Sequence, residues 1–123
     1  MLANECSALS HRLIDFKLLD KINMEIKIQN NAENIAVTMC GSFDTLASEQ
    51  VEPSIKELES LASKPIIIDC NSLDYIASSG LRALLRLRKA SAAQGQQMTL
   101  LGVNENIMEV LKVTHFDKMF IIK

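Results

Sequence analysis

Between Ser63-Lys64 and Asn71 the chain runs Pro65-Ile66-Ile67-Ile68-Asp69-Cys70, and this segment restricts the fold more than any other. Three isoleucines in a row leave no polar alternation, so a strand here carries apolar side chains on both faces. It must be a central strand, covered on at least one side and parallel to a neighbour. Helical periodicity brackets it, with Leu46, Val51, Ile55, Leu58 and Leu61 before and Leu81, Leu84 and Leu85 after. Strands alternating with helices imply right-handed crossovers onto one sheet.

The remaining elements follow from local pattern. Met24, Ile26 and Ile28 alternate with Glu25, Lys27 and Gln29, the period of a half-buried strand. Asn30 to Asn34 is turn chemistry and Ile35 to Cys40 a second strand, closed by Gly41, so the two form a hairpin. Ser42-Phe43-Asp44-Thr45 offers caps for the first helix, which Pro53 either bends or marks as the true start. A second helix runs from Leu81 to about Gln94 and stops at Gly95. Met98–Leu101 is the next strand, Gly102-Val103-Asn104 leads into a helix with Ile107, Val110 and Leu111 on one face, and Met119–Ile122 is a last short strand. The expected fold is α/β, order ββαβαβαβ: a mixed sheet of four to five strands with helices packed against it. Residues 24–123 form the domain. Residues 1–23 are an extension, helical or disordered, with Leu9, Leu13 and Phe16 at helical spacing.

Composition narrows the class of function. At 123 residues and 48% hydrophobic the chain supports a single core without staples, and its net charge of −2 gives no reason to expect nucleic acid. Cys6, Cys40 and Cys70 are far apart with no ligand-type histidine near, which reads as free thiols in a reducing compartment. His11 and His115 lack metal-type neighbours and are expected at surface or satisfied positions. No metal and no cofactor are expected. The longest apolar run falls well short of the ~18 residues that span a bilayer, and the N-terminus has no signal-peptide pattern. A cytoplasmic protein without a membrane partner, monomer or weak dimer, is the expectation.

The densest run of polar groups is Asp69-Cys70-Asn71-Ser72-Leu73-Asp74-Tyr75-Ile76-Ala77-Ser78-Ser79-Gly80-Leu81-Arg82, which joins the central strand to the second helix. A helix N-terminus exposes backbone N–H groups and favours negative charge. Ser78 or Ser79 serves there as an N-cap in the simplest reading. The sharper reading makes the serine a phosphate acceptor, because a helix start accommodates a phosphate without melting the fold. Arg82, four residues after Ser78, is placed to pair with it. Arg82, Arg86 and Lys89, with Arg88 beside them, form a cationic face that is either solvated or a docking surface for an acidic partner.

These residues resemble the STAS domain family, and within it the bacterial anti-sigma-factor antagonists. The resemblance spans about Met24 to Ile122 and rests on Gly41-Ser42-Phe43-Asp44, the strand-end Asp69, Tyr75-Ile76-x-Ser78-Ser79-Gly80-Leu81-Arg82, and Val110-Leu111 with Phe116 and Phe120. It implies a domain that binds an anti-sigma factor of ATPase-type kinase fold when unphosphorylated and thereby frees a sigma factor. Phosphorylation by that kinase breaks the complex, and a phosphatase restores it. Ser78 aligns as the acceptor, with Ser79 the alternative and a helper in capping. Ser42, Asp44, Ser78, Ser79, Arg82 and Arg86 are implied on the partner-facing side. Ala77 departs from the aspartate found before the acceptor in well-known antagonists; Gln96 and His115 replace glycines of the family pattern.

Other functions meet the same residues less well. Catalysis by Ser78 lacks a supporting histidine motif, a Gly-x-Ser-x-Gly elbow and a phosphate-binding glycine loop. The resemblance also admits STAS domains that are subunits of lipid-transport complexes, scaffolds of stress-signalling assemblies or nucleotide-binding modules, and the fold alone does not separate these.

Overall fold

The computed structural model describes residues 24–123; the extension before Met24, with the helix expected there and His11, lies outside the described residues. Strands β1 (Met24–Asn30) and β2 (Ile35–Phe43) form the antiparallel hairpin. Its turn closes through the Asn31 N–H to the Asn34 carbonyl at 2.9 Å and the Asn31 side-chain amide to Asn34 Oδ1 at 2.8 Å. There follow α1 (Thr45–Gln50), α2 (Glu52–Ser60), β3 (Ile66–Ile76), α3 (Ser78–Ala93), β4 (Met98–Leu101), α4 (Glu105–Val113), a 3-10 turn (Phe116–Lys118) and β5 (Ile121–Ile122). The five strands lie in sequence order, β2 through β5 all parallel. The α/β sheet with packed helices expected from the sequence is present.

Register builds the core in rows. Ile35, Ile66 and Met98 are neighbours across β2, β3 and β4, as are Val37, Ile68 and Leu100, and all six are at most 1% exposed. Ile55 and Leu58 of α2, Leu84 and Leu87 of α3 and Leu111 of α4 belong to the same core cluster. Removing one such side chain, as in Leu87→Ala, leaves a void that costs about 2–5 kcal/mol.

Five boundaries differ from expectation. The first helix divides at Val51, because Pro53 cannot donate to the preceding turn and instead sits in the first turn of α2, where a missing N–H costs nothing. β2 does not stop at Gly41: that residue takes φ +100 at a shift of register, and the strand then pairs again, Ser42 with Tyr75 and Phe43 with Ile76. β3 accordingly continues past Cys70 as a polar arm to Ile76. α3 also begins earlier than Leu81, at Ser78. β5 is shorter than expected because Phe116–Lys118 takes the 3-10 turn and Met119 ends it.

Cys70 is a free, buried thiol, pushed up to about 12 by burial and then by the charge of Asp69. Cys40 is disulfide-bonded, so the free-thiol expectation does not hold for it. His115 is exposed, as expected, and takes φ +64.

Candidate functional site

The carboxyl ends of parallel strands are where α/β sheets place their sites, and here the ends of β2 and β3 lead directly into α1 and α3. The Ala77 N–H donates to the Phe43 carbonyl at 2.8 Å, so α3 starts as a continuation of the ladder between these strands. Gly80 allows this approach. A Cβ there would lie 2.8 Å from Ile76 Cγ1, 2.9 Å from Phe43 Cγ and 3.0 Å from the Phe43 carbonyl. With no side chain in the way, the first turn of α3 lies close against fully buried Phe43.

Ser78 is the first residue of α3 and is exposed. Neither serine caps the helix, contrary to the sequence reading. The cap position belongs to Ala77, whose methyl accepts nothing, because the helix starts where the Ala77–Phe43 hydrogen bond and Gly80 packing place it. The first-turn amides therefore have no acceptor from a cap side chain and retain their attraction for an anion. Arg82 stands exposed one turn along.

Ser79 is half-buried and faces α1. Its hydroxyl is 2.9 Å from that of Ser48, which is also 3.0 Å from the Asp44 carbonyl. Asp44 caps α1, its Oδ1 accepting from the Ala47 N–H at 2.8 Å. Ser42 lies at the end of β2, opposite Tyr75, which is 52% exposed. An open groove of about 500 Å³ runs beside these residues, lined by Thr45, Ser48, Glu49, Ser79, Arg82 and Arg86 among others.

Arg86 is committed elsewhere. Its guanidinium forks to Glu52 at 2.9 Å and Glu59 at 2.8 Å and holds α2 to α3. The hydrogen bond from Arg86 holds the Glu52 carboxyl below the ordinary carboxylate value, against a smaller opposing effect of burial. The same two carboxylates raise the Arg86 guanidinium above its own ordinary value. Arg88 donates to the Met119 carbonyl at 2.6 Å. Of the cationic face, two members thus serve to hold the domain together. Sequence reasoning missed Ser48 and the two glutamates, since their partners lie about thirty residues away and no local spacing signals them.

With this geometry in view, the sequence matches the STAS domain family over residues 23–123. The chain belongs to the STAS family. Among curated STAS-like relatives, BtrV of Bordetella bronchiseptica, named as a candidate anti-sigma factor antagonist, is 25% identical over 80 residues, covering 65% of this chain and 69% of its own. Among solved STAS-like structures, an anti-sigma factor antagonist from Mycobacterium paratuberculosis gives a TM-score of 0.70 at 15% identity, covering 80% of this chain and 84% of that one. SpoIIAA gives 0.63 at 19% identity in its unphosphorylated form, and 0.62 at 18% as the phosphorylated Bacillus protein. Each covers 80% of this chain, with 87% and 91% of the respective SpoIIAA chains. At these identities the structural likenesses establish the STAS fold. Among the described residues no helix is long and apolar enough to cross a membrane.

Proposed function

We propose that this STAS domain is an anti-sigma-factor antagonist whose partner choice is set by the charge on Ser78. Unphosphorylated, it binds an anti-sigma factor that has serine kinase activity, and sigma-dependent transcription proceeds in the cytoplasm. The kinase then directs the Ser78 oxygen at the γ-phosphorus of ATP: the Ser78 Oγ–P bond forms, the P–O bond to ADP breaks, and the hydroxyl proton leaves to a base of the kinase. The domain is the substrate in this step and not a catalyst. The added charge of about −1.5 to −2 lies in the partner surface and drives release. Hydrolysis by a phosphatase regenerates the hydroxyl.

The observation that carries the reading is an exposed serine at the first position of α3, behind a cap residue with no side-chain acceptor. A phosphate there takes up the vacant amides and the field of the helix, with Arg82 as its charged partner. Ser79 is the poorer acceptor because its hydroxyl is half-buried and bonded to Ser48. Asp44 and Ser42, at the neighbouring strand end, complete the partner-facing surface. The names of BtrV and the Mycobacterium antagonist, and the existence of SpoIIAA in a phosphorylated form, agree with this assignment.

The test is incubation with ATP and the co-purifying kinase, followed by peptide mass spectrometry. One phosphate on Ser78 is expected, with Ser78→Asp weakening kinase binding at least tenfold and Ser78→Ala preserving it. A phosphate on no serine of residues 72–79, or equal binding by the two variants, would favour a scaffold or transport subunit that uses the fold without the switch.

A further inference from the structure

We infer that Ser79 and Ser48 relay the charge state of Ser78 to α1, so that phosphorylation changes the order of a neighbouring helix as well as the charge of a surface. The inference rests on Ser78 being the modified residue, and it starts from proton counting. The Ser48 hydroxyl is within reach of two oxygens, Ser79 Oγ at 2.9 Å and the Asp44 carbonyl at 3.0 Å. A hydroxyl has one proton to give and a carbonyl can only accept. Both contacts are satisfied together in one way: Ser48 donates to Asp44, and Ser79 donates to Ser48. The single Ser79 proton therefore ties the start of α3 to the first turn of α1.

Phosphate on Ser78 brings charged oxygens to the residue directly before Ser79. A charged acceptor forms a hydrogen bond roughly twice as strong as a neutral hydroxyl does. The Ser79 proton turns to the phosphate, and Ser48 loses its incoming donor. α1 has only six residues, too few to be stable without tertiary support, so the loss of one link is felt along all of it. The groove beside it gives room for water to replace the departed partner. α1 carries Asp44 at its cap and Leu46, 47% exposed, on its outer side. A partner that grips this helix thus meets a looser surface as well as a new charge. Ser48 and Ser79 are positioning residues in this scheme.

The experiment installs phosphoserine at position 78 by genetic encoding, so that no kinase is needed. Amide hydrogen exchange is followed over residues 45–50, with α4 as an internal control, in the full chain with and without phosphoserine, each also carrying Ser48→Ala. The second ionisation of the phosphate is followed by phosphorus NMR in wild-type and Ser79→Ala backgrounds. Phosphoserine is expected to speed α1 exchange at least about threefold while leaving α4 unchanged, on the scale of one neutral hydrogen bond. Ser48→Ala should produce a similar acceleration unmodified, with phosphoserine then adding little, the non-additivity of two changes acting on one link. Ser79→Ala should raise the phosphate pKa, because the dianion loses a donor. Unchanged α1 exchange on adding phosphoserine, an undiminished further acceleration by phosphoserine in the Ser48→Ala background, or a phosphate pKa indifferent to Ser79 would each overturn the relay. These outcomes are separable from the proposed function: the phosphate is introduced synthetically, so a failed relay leaves Ser78 as a kinase target, and a kinase that ignores Ser78 leaves the relay measurable.

Discussion

Two helices begin side by side at the ends of β2 and β3, and they begin differently. α1 closes its own N-terminus, the Asp44 carboxylate accepting from Ala47 at 2.8 Å. α3 does not, since Ala77 offers no acceptor at the same position. α4 follows the first pattern, with Asn104 accepting from the Ile107 N–H at 2.8 Å while its amide donates to the Leu73 and Asp74 carbonyls of the β3 arm at 3.1 and 3.3 Å. A helix of sixteen residues with Leu81, Leu84 and Leu87 buried holds without a cap, because tertiary packing supplies most of its stability. An uncapped start is thus tolerated in the long, well-packed α3, while the shorter α1 and α4 are capped.

The contrast can be broken at several points. Gly80→Val should have the largest effect: its branched side chain has no space between Ile76 and Phe43, and a loss of about 3 kcal/mol in urea unfolding is expected together with displacement of Ser78. Asp44→Ala removes the cap of α1 and should cost about 1 kcal/mol by the same measurement, with faster amide exchange confined to residues 45–50. Ala77→Asp sharpens the comparison from the other side. Supplying α3 with a cap should stabilise the unmodified domain by about 1 kcal/mol, yet raise the second pKa of a phosphate at Ser78, since a carboxylate then competes for the same amides and repels the dianion. The smallest effect belongs to Arg86→Met, which removes the fork that holds α2 to α3. Glu52 is depressed in the folded state, so its contribution is present above its ordinary value of 4.5 and is lost as pH falls through the lower folded value. The difference between Arg86→Met and wild type, under about 1 kcal/mol for a pair this exposed, should therefore shrink when unfolding is repeated well below pH 4.5.

Much of this was legible in the residues. The isoleucine run of β3, the alternation of β1 and the Asn-rich turn name their own elements because hydrophobic period and turn chemistry act locally. Pro53 announced a break and the structure has one. Less legible was everything set by contacts between distant segments. Ser72 and Tyr75 look like loop residues, yet they extend β3 because Cys40 and Ser42 of β2 pair with them on either side of Gly41. Two serines at a helix start suggest a cap, but the Phe43 carbonyl and the space above it decide where the helix begins, three residues sooner than Leu81. Arg86 has the spacing of a surface cation, and only the fold brings Glu52 and Glu59 under it. Ser78 was singled out by its sequence neighbourhood, whereas the vacancy ahead of it and the Ser48 contact beside it became visible only in three dimensions.

Because the amide of Ala77 is bonded to the carbonyl of Phe43, the turn that presents Ser78 is bolted to the sheet. Whatever grasps the molecule at that serine grasps the whole rigid body, and a pull applied there is borne by the strands without peeling off a loose end. Under the proposed switch, in which partners exchange at Ser78, that is a sound place for the handle.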